Sequence, residues 1–146
     1  MNKNISSDKD TKRIKFKDIR MRPIRYEDID AYLKIEFDAF YPKLSAIYGN
    51  HRNAAYNIIK TEITGNFESG RYINALYKDR PVGIIELVTK ESSEDYKRDF
   101  YLYLKHLGLF GAVRAYFLTF LDMPHLDENT IYLDNIAVDT NNRRRG

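Results

Sequence analysis

The spacing of hydrophobic positions changes several times along the chain, and each change marks an element. Ile19 to Ile24 alternates, with Ile19, Met21 and Pro23 set against Arg20 and Arg22, which predicts a first strand at a sheet edge. A helix is predicted next. Ile29, Tyr32, Leu33, Phe37 and Phe40 fall on one face, and Glu27, Asp28 and Asp30 place negative charge in the first turn, where the helix dipole favours it. Pro42 should end or bend this helix. A second amphipathic stretch runs from about Asn53 to Thr64, with Ala55, Ile58, Ile59 and Ile63 at helical spacing and Gly65-Asn66 closing it. Tyr72 to Tyr77, the turn Lys78-Asp79-Arg80 and the Val/Ile/Leu-rich Pro81 to Thr89 read as a hairpin. Between Glu94 and Met123 helical spacing occurs twice, through Phe100, Tyr103, Leu104 and Leu107 and then Phe110, Val113, Phe117, Phe120 and Leu121. Gly108 and Gly111 mark the break between the two runs. Thr130 to Val138 is apolar at nearly every position, the pattern of a central strand covered on both faces.

These elements amount to one domain. The chain has 146 residues, 43% of them hydrophobic, enough to bury a core. Residues 1–17 are polar, basic and aperiodic, which predicts a flexible basic leader, with residues 18–146 forming the domain. The absence of cysteine excludes a disulfide framework, a thiolate metal site and a cysteine nucleophile, and fits a cytoplasmic protein. No segment reads as a signal peptide, and Lys105, His106 and Arg114 interrupt the apolar region from Phe100 to Leu121. The net charge of +3 is modest and much of the excess lies at the chain ends, so charge alone points to no nucleic acid. His51, His106 and His125 have no metal-ligand spacing, and no metal is expected.

The chemistry gathers in Asp139 to Gly146, which follows the last strand. A strand opening into a glycine-bearing turn can aim backbone amides at an anion, and Arg143, Arg144 and Arg145 raise the local positive potential. The run Ile136-Ala137-Val138-Asp139-Thr140-Asn141-Asn142-Arg143-Arg144-Arg145-Gly146 resembles a motif of the GNAT superfamily of acetyl-CoA-dependent N-acyltransferases. In that family a fourth strand ends in apolar-Ala-Val-x-x-x-x-Arg/Gln-x-x-Gly-x-Gly/Ala. Upstream, MRPIRYEDIDAYLKI is similar to the family's opening strand and helix, and YINALYKDRPVGIIEL to its second and third strands. The resemblance covers roughly residues 19–146 apart from the helical insertion. It implies an α/β (α+β) GNAT-like fold with a mixed, mostly antiparallel sheet flanked by helices and a helical insertion between the third and fourth strands. It also implies that the family's C-terminal part, a helix and further strands, is missing from this sequence.

The resemblance further implies direct acetyl transfer from acetyl-CoA to the primary amine of a small-molecule or peptide acceptor. The pantetheine arm would lie along Ile136, Ala137 and Val138, bonding to backbone groups of Ile136 and Val138, with the pyrophosphate on Arg143, Arg144, Arg145 and Gly146. A base must take the amine's proton. Asp134, just before the cofactor segment, and Glu86, amid Ile84, Ile85, Leu87 and Val88, are the candidates, because a carboxylate beside apolar neighbours tends towards a raised pKa. Either could instead face solvent or pair with an arginine. Tyr132 and Asn135 are further polar candidates on the same strand. The aromatic insertion suits a substrate pocket, a homodimer face or plain core packing, with membrane contact a weaker option. Two other functions compete. One is a non-catalytic acetyltransferase-like module that binds an acidic partner through its basic ends, with strong salt dependence. The other is a dinucleotide-binding fold, which would need a G-x-G-x-x-G after the first strand that this sequence lacks.

Overall fold

The computed structural model describes residues 14–94, 100–121 and 126–143. Of the predicted leader, residues 1–13 lie outside the described residues, and Phe16–Asp18 form a single 3-10 turn that leads into the first strand. The strands are β1 (Ile19–Pro23), β2 (Tyr72–Tyr77), β3 (Arg80–Thr89) and β4 (Ile131–Val138). The helices are α1 (Ile29–Tyr48), α2 (Arg52–Asn66), the short α3 (Lys90–Glu94) and α4 (Phe100–Leu121). The strands form one antiparallel sheet in the order β1-β2-β3-β4.

The predicted hairpin is present. Lys78 and Asp79 both take positive φ, at 50° and 60°, the conformation that lets a two-residue loop follow the sheet's own twist. Strand β4 departs from expectation. Its apolar sequence predicts a strand covered on both faces, yet among the described residues it pairs only with β3, and Ile131, Leu133, Ile136 and Val138 are exposed. Apolarity reports what a strand can be covered by, and here one face packs under α1, where Ala137 and Asn135 are buried, while no described segment covers the face that carries these four residues.

Helix α1 begins at a tied corner. Asp28 accepts from both terminal nitrogens of Arg22, at 2.6 and 3.2 Å, and from the Arg25 backbone N–H at 2.8 Å. Burial alone would raise the Asp28 carboxyl, but these hydrogen bonds outweigh it and hold the group below the usual carboxylate range. Pro42 bends the helix without ending it: the break falls at Phe40 (φ −114°, ψ 15°), and the helix runs on to Tyr48. The long helices lie on the sheet face that carries Tyr72, whose ring meets Tyr32 edge-on at 5.7 Å. Tyr32, Leu33, Ile58, Ile63, Tyr103 and Ile84 form the centre of the core.

The two predicted helical runs of the insertion meet within α4 at a break on Gly108, whose φ of 66° and ψ of 178° are far from helical. The first part of α4 stacks Tyr103 on Tyr48, and the second buries Ala112, Ala115 and Thr119. Core packing accounts for that side alone, because Phe110, Val113, Phe117 and Phe120 point outward. Among the described residues no helix is long and apolar enough to cross a membrane.

Candidate functional site

Strand β4 carries an irregularity that shapes the site. Glu86 pairs with Asn135 but Leu87 pairs with Leu133, so Asp134 is an extra residue opposite β3. The resulting bulge lets the consecutive residues Asp134 and Asn135 both line one cavity of about 70 Å³, where the bent part of α1 passes over the sheet. Glu36, Lys43 and Leu44 of α1, Glu62 and Ile63 of α2, and Glu86 of β3 complete its polar and apolar walls.

Four carboxyls thus face one small space, and they are held differently. Glu86 is clamped. Its Oε1 accepts from Arg71 Nε at 2.9 Å and Nη2 at 2.5 Å, and its Oε2 accepts from Asn135 Nδ2 at 2.5 Å. Both members of the Arg71–Glu86 pair are buried, with side chains 5% and 6% exposed. Glu62 accepts from the Tyr103 hydroxyl at 3.2 Å. Asp134 sits at the more open side, 3.9 Å from Lys43 Nζ and 3.3 Å from Asn135 Nδ2. Glu36 differs from all three: it is as buried as Glu86, at 6% exposed, but its Oε2 has no hydrogen-bond partner among the described residues. Burial, and then the charges of Glu86, Glu62 and Asp134, push the Glu36 carboxyl well above its ordinary range, with Lys43 opposing them. Burial likewise raises the Tyr32 hydroxyl, which stays protonated beside Glu86 and Glu36.

The second feature is the outer edge of β4. Asp139 N–H donates to Val82 O at 2.8 Å, and the register Ile84–Ala137 continues that pairing inward. Strand backbones alternate, so the peptide groups of Ala137 and Asn135 point at β3 while those of Ile136 and Val138 point away from it. Arg143 Nε meets the Val138 carbonyl on that outer side at 3.0 Å. Beyond the strand, Thr140–Asn142 make a single 3-10 turn, with Asn142 Nδ2 bonded to Asp139 Oδ2 at 2.7 Å. Where β4 ends, a groove of about 830 Å³ opens between Ile14, Phe16, Val82, Val138 and Arg143. Arg144, Arg145 and Gly146, predicted to complete the phosphate turn, lie outside the described residues, as does His125.

One solved structure resembles the chain. It is an apo form of a mutant of agmatine N-acetyltransferase, 20% identical, with a TM-score of 0.42 over 88% of this chain and 63% of that one. This chain therefore spans less than two thirds of that protein's length. No protein-family model and no curated protein matches.

The structure brings Asp134, Glu86 and Asn135 together at the bulge and sets Ile136 and Val138 on the outer edge beside them. Tyr132 pairs with Val88 further along β4 and does not line the cavity. Among the described residues no group of His, Cys, Asp or Glu is arranged to hold a metal ion. Glu36 and Glu62 were not singled out from sequence, although a signal existed. Glu36 lies between Leu33 and Phe37 on the apolar face of α1, and Glu62 between Ile59 and Ile63 on that of α2.

Proposed function

We propose that the protein acetylates a primary amine by direct transfer from acetyl-CoA, with the donor along the outer edge of β4 and the amine entering from the acidic cavity behind the bulge. The supporting observation is the continuity of these two features. The outward peptide groups of Ile136 and Val138 lead straight to Asp134 and Asn135, which line the cavity. The Ile136 N–H can hold an amide oxygen of the pantetheine arm. Arg143, at the rim of the groove, can meet phosphate.

In the reaction the amine nitrogen forms a bond to the acetyl carbon, the carbon–sulfur bond breaks, and the CoA sulfur leaves as a thiolate that takes up a proton. The chain's own part is to present an uncharged amine and to stabilise the oxyanion. Asp134 is the base, because it combines access to the cavity with a place beside the edge strand, whereas both oxygens of Glu86 are already engaged. Glu86 instead fixes Asn135, and through it the bulge. The oxyanion donor in this reading is a β4 backbone N–H.

The test is thiol release from acetyl-CoA with a panel of amines, run beside calorimetric binding of CoA. Asp134→Asn should lower kcat/KM about a hundredfold. Ile136→Pro removes an outward N–H without cutting the ladder to β3, so it should weaken CoA binding while leaving the melting temperature nearly unchanged. The proposal fails if wild-type protein binds no CoA and releases no thiol with any amine. Salt-sensitive binding of polyanions that ignores acetyl-CoA would favour the binding-module reading instead.

A further inference from the structure

The acidic cavity is unbalanced. Four carboxyls, on Glu36, Glu62, Glu86 and Asp134, line a space that, among the described residues, Lys43 and, through its pair with Glu86, Arg71 offset with positive charge. Three of the four have hydrogen-bond or ion-pair partners, and the fourth, Glu36, is buried with Oε2 unmatched. A buried carboxyl oxygen without a donor is uncommon and costly, so this arrangement calls for a donor from outside the described chain. Water would satisfy the hydrogen bond but not the charge. A compact metal ion is a poor match, since these carboxyls are not arranged as a metal-binding group. The walls between them are apolar, with Phe40, Leu44, Ile59 and Ile63, which suits methylene groups.

We propose that the cavity holds the second, non-reacting ammonium of a short alkyl diamine, with Glu36 as its principal acceptor. The inference deepens the acyltransferase reading by naming the acceptor class. The reacting amine would lie towards Asp134 at the bulge, and the charged far end would lie against Glu36. In the empty cavity a proton on Glu36 relieves the crowding of negative charge. An arriving ammonium takes over that role, so the proton leaves for solvent as the diamine binds. The groups facing Glu36 are Glu86 from β3, Glu62 from α2, Asp134 from β4 and Lys43 from α1 itself, and only Lys43 opposes the release.

Calorimetry near neutral pH with diaminobutane and with butylamine, in two buffers of different ionisation enthalpy, tests this directly on the wild-type protein. Diaminobutane should bind at least about tenfold tighter than butylamine, with proton release that butylamine does not produce. Glu36→Gln, nearly the same shape, should abolish both the preference and the proton release. Equal affinity of the two amines in wild type overturns the proposal, as does a diamine preference that survives Glu36→Gln. Calcium or magnesium binding in the cavity in place of diamine would overturn it too. Turnover separates this inference from the reading beneath it. If the diamine preference holds but neither amine is acetylated, the cation site stands and the acyltransferase reading falls. If butylamine is bound and acetylated as well as diaminobutane, the acyltransferase stands and the cation site falls.

Discussion

Replacing Arg71 by methionine removes the guanidinium that donates twice to Glu86 and also lies 5.3 Å over the Tyr72 ring. The loss leaves a carboxylate that is 6% exposed with Asn135 as its remaining hydrogen-bond donor, while Glu36 shares the same cavity. Breaking one side of such a buried pair costs about 3–5 kcal/mol, because a charge is left without its partner in a poorly solvated place. For a chain of this size that corresponds to a fall of roughly 10–16 °C in melting temperature. Urea unfolding followed by circular dichroism measures the free energy. The double variant Arg71→Met with Glu86→Leu is the control, since removing both charges takes away the uncompensated carboxylate and leaves the Asn135 amide with Asp134 as acceptor but without Glu86. It should recover about 2 kcal/mol of the loss. A single variant that costs under about 1 kcal/mol, or a double variant as unstable as the sum of the two singles, would refute the reasoning that this pair matters through its burial.

Three further outcomes follow from the same geometry. A Cβ at Gly83 would stand 3.0 Å from the Ala137 carbonyl oxygen, so Gly83→Val should lower stability by about 1–3 kcal/mol in the same urea assay, as backbone atoms must move apart. Asp28→Asn should cost about 2 kcal/mol near neutral pH. Because the folded state holds this carboxyl below its ordinary value of 3.8, its contribution is present above that value and disappears as pH falls through the lower folded pKa, so melting curves of wild type and variant should converge in acid. Glu36 behaves oppositely. Its carboxyl is raised in the fold, so the stability it contributes is full below its ordinary value of 4.5 and is lost as pH rises through the folded pKa, and Glu36→Gln should gain on wild type between mildly acidic and alkaline melts.

Period and turn chemistry carried most of the fold. The run Tyr72–Tyr77, the turn at Lys78-Asp79-Arg80 and the apolar run after it folded as a hairpin, with Arg80 joining β3 rather than the turn, and Ile58, Ile59 and Ile63 buried themselves as a helical face should. Pro42 bends α1, one of the two outcomes its place in the sequence allowed: it lacks an N–H and crowds the preceding turn, and α1 absorbs this at Phe40 and continues because Leu44 and Tyr48 still have core to bury against. The bulge at Asp134 was not legible, since it exists only as a mismatch in register with β3 and no residue type demands it. Arg71 drew no attention for a related reason. It lies just outside β2 in sequence, and only the β2–β3 pairing brings it beside Glu86. Glu36 could have been read, because an acid between Leu33 and Phe37 on an apolar stripe must either pair or take up a proton.

That last alternative explains why this cavity holds two buried glutamates in such unlike states. Glu86 brings its counter-charge from within the fold, in Arg71, and the pair is closed further by Asn135. Glu36 has no such partner among the described residues, so a proton is what makes its burial tolerable. An ion pair fixed by two backbone elements cannot easily be exchanged for a ligand, but a proton can. The side chain suited to respond to an incoming cation is therefore Glu36 rather than the more conspicuous Glu86. Exchanging their chemistry makes the point testable: Glu86→Gln should damage stability by taking the carboxylate charge away from the buried Arg71 guanidinium and should leave a diamine preference in place, whereas Glu36→Gln should spare stability and erase the preference.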